Sequence, residues 1–146
     1  MTKNQQIHLN KLFKNALEFP LVISELVQLH LPEHIQNNID MESFKIEDKF
    51  CTEEPGDNSF CNVLFSAKTK NSEDFFINVI LTKLSGIALS LKLMKFKLDI
   101  YEMYLAQDNG SKKLPQVFDC IYYSGEEEPE NPLSFSDLLK HVKYTN

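Results

Sequence analysis

His30 and His34 stand four residues apart, the spacing that on a helix turns two imidazoles toward one metal ion. Pro32 lies between them and breaks that geometry, and no third ligand is evident. Two solvated histidines on a turn are the expectation. Cys61 sits inside an apolar run and reads as a small buried hydrophobe, not a nucleophile. Glu73 and Asp74 precede the stretch FFINVILTK, Phe75 to Lys83, which reads as a buried strand feeding a helix. The end of such a strand is where an α/β enzyme presents ligands or reactive groups. Here the outgoing residues are Ile80, Leu81 and Thr82, without a carboxylate, imidazole or thiol. Asp74 is six residues before Ile80, roughly 20 Å along an extended chain and too far to share a metal with that end. Glu53, Glu54 and Asp57 are the remaining acids that could serve a shifted site. The sequence has no G-x-G-x-x-G, Walker A or G-x-S-x-G motif, so nucleotide hydrolysis and serine esterase chemistry have no support.

Two charge clusters bear on partners. Lys83, Lys92, Lys95 and Lys97 form a basic segment with no acid before Asp99, suited to DNA contact or simply to solvating one arc of a helix. Glu126, Glu127, Glu128 and Glu130 make an acidic loop that could face a basic partner.

These residues need a frame. Leu9, Leu12, Phe13 and Ala16 recur at helical spacing, predicting a helix from about Gln5 to Leu17. Pro20 suits the first turn of a second helix, and Pro32 stops it. HIQNNID predicts a short helical turn and SFKIEDKF a strand; TEEPGDNS has loop composition. FCNVLFSAKT and DFFINVILTK, separated by KNSE, predict a hairpin whose strands are apolar on both faces. Gly86 opens the strongest helix. Its two stripes, Ile87–Leu91–Met94–Leu98–Tyr101–Leu105 and Leu89–Leu93–Phe96–Ile100–Met103, predict a wide apolar face packed on a sheet. A coiled coil is the alternative for the first stripe, but complementary flanking charges are lacking. LPQVFDCIYYSG predicts a last strand, and Ser134 or Ser136 could cap a final helix to about Lys143. The order gives an α/β (α+β) domain with a central mixed sheet flanked by helices.

At 146 residues, 42% hydrophobic with eleven Phe, the chain can bury a real core as one domain. A net charge of −6 opposes strong nonspecific binding to nucleic acid. Three cysteines, Cys51, Cys61 and Cys120, without CxxC spacing, fit reduced thiols in a cytoplasmic protein. No apolar run has the length of a signal peptide or membrane span.

Five pieces in order resemble the bacterial recombination-promoting nuclease, or putative transposase (YhgA-like), family of the PD-(D/E)xK nuclease superfamily. NKLFKNAL is similar to its D-x-L-F-K helix, and LHLPEHIQNNIDMESFKIEDKF to its next segment. CNVLFSAKT resembles its S-D-L-L-F-x-V-K strand, LKLMKFKLDIYEMYL its L-R-L-x-R-Y-x-x-x-I-W-x-x-x-L helix, and LPQVFDCIYYSG its L-P-x-V-x-P-I-V-x-Y-H-G strand. The resemblance implies a restriction-endonuclease-like core over residues 1–146, either a whole nuclease-like domain or a shortened member. It also implies where chemistry would sit. The family's helix aspartate falls at Asn10, its metal-binding aspartate at Asn62, its E-x-Q signature at Ile80 and Thr82, and its histidine at Ser124.

Nucleases of this type hold Mg²⁺ with carboxylates, and the metal polarises the phosphate and activates water. Asn62 retains a neutral carbonyl, Ile80 offers no ligand, and Thr82 cannot replace a charge. The resemblance therefore implies a catalytically inactive domain with no metal or other cofactor, acting through a protein partner or an active relative. A homodimer is one such arrangement. The alternatives are a diverged, Mg²⁺-dependent DNA endonuclease associated with mobile elements, and a passive DNA-binding remnant using Lys83, Lys92, Lys95 and Lys97.

Overall fold

Thr2 opens the first helix with a reciprocal cap. Its hydroxyl accepts from the Gln5 amide at 3.2 Å while its own amide donates to Gln5 Oε1 at 2.8 Å. The computed structural model describes residues 2–48, 59–107 and 113–131. It runs α1 (Lys3–Ala16), α2 (Pro20–His30), α3 (Glu33–Gln36), β1 (Ile39–Ile46), β2 (Phe60–Thr69), β3 (Asp74–Thr82), α4 (Gly86–Ala106) and β4 (Gln116–Tyr123). Pro20 does start α2, and the chain turns extended at Leu31 before Pro32.

The strands form one sheet in the order β1-β2-β3-β4. β1 with β2 and β2 with β3 are antiparallel; β3 with β4 is parallel, with α4 as the crossover. A mixed four-stranded sheet with helices on both faces is consistent with the restriction-endonuclease-like core that the resemblance implies. β1 begins four residues before the predicted strand SFKIEDKF, and its register with β2 shifts between Asp40 and Lys45. There the Ser43 hydroxyl accepts from the Lys68 amide at 2.8 Å, satisfying a donor that the bulge leaves out of the ladder.

Side-chain alternation divides the core into two layers. Val63, Phe65 and Ala67 of β2, Phe75, Ile77 and Val79 of β3, and Cys120 of β4 pack with Leu17, Leu26, Val27 and Leu31 below α1 and α2. On the other face Phe60, Leu64, Phe76 and Ile80 meet Leu89, Phe96, Ile100 and Tyr104 of α4. β2 and β3 are buried on both sides, as their composition predicts.

The wide apolar face expected of α4 is not what forms. Leu89, Phe96 and Ile100 pack on the sheet, but Ile87, Leu91, Leu98 and Leu105 are 46%, 55%, 57% and 57% exposed. The two stripes are offset by two residues, about 200° of rotation on a helix, so they lie nearly back to back. One sheet covers only one of them. The predicted helix after Ser134, Cys51 and most of the TEEPGDNS loop fall outside the described residues.

α4 starts under a tight constraint. Gly86 has φ +58°, its amide donates to the Glu130 carbonyl at 3.1 Å, and a Cβ there would stand 2.6 Å from the Glu130 carboxylate. Gly86→Ala should therefore lower stability by roughly 1 to 2 kcal/mol in urea unfolding, with an unchanged denaturant slope.

Candidate functional site

On the α4 face of the sheet, three polar side chains interrupt an apolar surface. Asn62 and Ile80 are direct cross-strand partners, and Asn78 lies on the same face two residues from Ile80. Asn62 Nδ2 donates to Asn78 Oδ1 at 2.9 Å, with both residues fully buried. Across the parallel pairing Asn78 faces Asp119 of β4. The row thus runs Asn62, Asn78, Asp119, from a central strand to the sheet edge, with Lys97 of α4 near its outer end.

Burial raises the Asp119 pKa above the usual carboxylate range, while the positive charge of Lys97 and the Asn78 amide oppose that shift. The Asn78 amide is close enough to favour the ionised carboxylate, yet its Nδ2 completes no hydrogen bond and is buried. Next to Asp119, Cys120 is pushed up to about 11 by burial and then by the Asp119 charge, so its thiol stays protonated at neutral pH. Cys61, buried on the central strand, bears out its reading as a small core residue.

Ile80 sits opposite Asn62 in the apolar cluster of Phe60, Leu89 and Phe96. Thr82 ends the same strand face, and its hydroxyl is committed to backbone. It donates to the Ser59 carbonyl at 2.9 Å and accepts from the Leu84 amide at 2.9 Å, turning the chain out of β3. Three of the five family positions are therefore neighbours on one face, and the amide of a fourth, Ser124, donates to the Thr82 carbonyl at 2.8 Å. The fifth, Asn10, comes from the opposite layer: α1 residues Leu9 and Phe13 line a hollow with Leu81 and Tyr122 on the other side of the sheet. Asn10 is fully buried and accepts from Gln6 Nε2 at 2.8 Å.

Such a donor set does not suit Mg²⁺, which requires hard, largely anionic oxygens in octahedral array. An amide pair joined by one hydrogen bond, an isoleucine and a backbone-bonded threonine supply no anionic oxygen. Among the described residues no group of three His, Cys, Asp or Glu side chains could hold a metal. Asp74, the nearest earlier acid on β3, is at the far end, bonded to Lys68 Nζ at 3.0 Å and to Tyr104 Oη at 3.2 Å. The four lysines have different surroundings. Lys92 lies 5.5 Å over the Phe60 ring, Lys97 inclines to Asp119, Lys95 faces solvent, and Lys83 follows β3 with its amide on the Ser59 carbonyl. His30 Nε2 is 2.7 Å from Tyr122 Oη, a hydrogen bond that ties α2 to β4.

Sequence reasoning missed Asn78 and Asp119. The signal was available: each is the one polar residue in an apolar run, FFINVIL and VFDCIYY. The strand register, which brings both beside Asn62, was not.

A family model described as "Putative transposase, YhgA-like" matches residues 7–146. The chain belongs to this family. Among curated proteins it is 26% identical over 120 residues to the recombination-promoting nuclease RpnD of Escherichia coli O157:H7, covering 81% of this chain and 45% of that one. It is 28% identical over 119 residues to the recombination-promoting nuclease RpnA of E. coli K12, covering 81% and 40%. It is 23% identical over 118 residues to the inactive recombination-promoting nuclease-like protein RpnE of the same strain, covering 80% and 39%. The chain thus spans less than half the length of these relatives. No solved structure matches it significantly. Within the YhgA-like pattern quoted above, Asp119 falls where the family's last strand has proline. No helix among the described residues is long and apolar enough to cross a membrane.

Asp119 makes stability depend on pH. With its folded pKa above the unfolded value, the folded state binds more protons between the two. The stabilising effect of the neutral carboxyl is complete below the unfolded value near 3.8 and fades as pH rises through the folded one. Asp119→Asn should therefore raise the urea midpoint at pH 7, and this gain should vanish toward about pH 3.5.

Proposed function

We propose that this chain is a catalytically inactive member of the YhgA-like family that works by binding a protein partner, either an active relative or another protein. The observation that carries this reading is the Asn62–Asn78 amide pair, 2.9 Å apart, with Ile80 opposite Asn62 in an apolar cluster. Where the family would set acids, the chain has built ordinary core: an amide hydrogen bond, an aliphatic side chain and a hydroxyl bonded to backbone. Carboxylates crowded in a core without a metal are strongly disfavoured. Asn and Ile at these positions relieve that penalty, and the sheet keeps its shape without the ion. A metal contributes several kcal/mol to the barrier, and each ~1.4 kcal/mol is a factor of ten in rate. Loss of its ligands accounts for loss of turnover. The relative named as inactive, RpnE, offers a family precedent. Binding then becomes the function left to the fold. The net charge of −6 weighs against a DNA-binding remnant, since phosphate binding draws on Lys and Arg to displace counterions.

Incubation of the purified chain with supercoiled plasmid and Mg²⁺ or Mn²⁺ should give no nicking above a metal-free control. Cleavage abolished by changing Glu53, Glu54 and Asp57 to Ala would instead establish a migrated nuclease site. Installing the family's acid in this core should be costly: Ile80→Glu should lower stability by roughly 3 kcal/mol or more at pH 7, read by urea unfolding.

A further inference from the structure

α4 carries an outward ridge that no described element covers. Ile87, Leu91, Leu98 and Leu105 are each about half exposed, while Met94 and Tyr101 flank them half-buried. Scattered surface leucines are ordinary, but a row in heptad spacing along one 21-residue helix is a contiguous apolar strip. The strip lacks the sustained complementary charges of a long coiled coil, but one pair beside Leu98 fits a reversed copy of the helix. Leu91 and Leu105 are each seven residues from Leu98, on opposite sides. Lys95 precedes Leu98 by three residues, and Glu102 follows it by four. Reversing the helix about Leu98 therefore lays leucine on leucine and lysine on glutamate. Lys95 and Glu102 are both exposed and make no ion pair with any described residue.

We infer that α4 is a self-association surface on which two copies of the chain pack antiparallel, crossing near Leu98. The pair is isologous. Leu98 meets Leu98 of the second copy at the two-fold axis, Leu91 meets Leu105, and Lys95 pairs with Glu102 twice. The net charge of −6 repels two copies in general, but this ridge carries one cation and one anion in complementary places and avoids that penalty locally. A contact confined to one helix falls near or below the ~1,200 Å² lower end of stable interfaces, so the dimer should be reversible and micromolar. The inference does not depend on whether the domain cleaves DNA.

Sedimentation equilibrium of the full chain over about 1 to 200 μM should show a reversible monomer–dimer equilibrium. Leu98→Glu puts two like charges at the axis and should weaken dimerisation at least about tenfold. Its exposed position predicts an unchanged thermal midpoint at concentrations where both proteins are monomeric. Lys95→Glu should also weaken the dimer, and Lys95→Glu combined with Glu102→Lys should restore it. A chain that stays monomeric throughout, a dimer indifferent to Leu98→Glu, or a charge exchange that fails to restore association would each overturn the proposal. Should Leu98→Glu disturb folding, the paired charge variants decide the question alone.

Discussion

Everything in this molecule hangs on β3. It is buried on both faces, paired antiparallel to β2 on one edge and parallel to β4 on the other. Because side chains alternate, each β3 residue is assigned to one of two helical layers, and a slip of one position would exchange them all. Phe75, Ile77 and Val79 hold α1 and α2; Phe76 and Ile80 hold α4. That double burial leaves room for very few polar groups. The fold keeps them as hydrogen-bonded amides rather than as charges.

The row Asn62–Asn78–Asp119 shows the gradient that burial imposes. On the two central strands both groups are neutral, and the ionisable member appears only on β4, at the sheet edge. There Lys97 offsets part of the desolvation. A neutral amide pair sharing a hydrogen bond tolerates a dry interior even with one N–H group left over; a carboxylate needs a cation, water or a proton. The strands themselves are held by apolar packing and backbone ladders.

Much of this was legible in the sequence. Two apolar runs rich in β-branched and aromatic residues, with KNSE between them, specified the hairpin, and Pro20, Pro32 and Gly86 marked helix ends correctly. Asn62, Ile80 and Thr82 could be placed on adjoining strands from the hairpin and the family pattern. Asn78 and Asp119 escaped notice because their meeting depends on strand register, a non-local property. The face of α4 was misread for a different reason. Counting apolar positions finds stripes, but their angular separation decides whether one sheet can cover both. Nearly opposite stripes on one helix mean one surface for the fold and another left over.

The parallel pairing of β3 with β4 has a kinetic corollary. Phe75 pairs with Gln116, about forty residues along the chain, whereas the β2–β3 hairpin closes over a few. Loop-closure entropy makes the hairpin the cheaper contact, and folding the intervening chain into α4 reduces the entropy lost when β4 docks beside β3. The order of assembly follows from topology: hairpin, crossover helix, then the edge strand. Asp119 would then be desolvated at the last step, so the row is completed only when β4 docks.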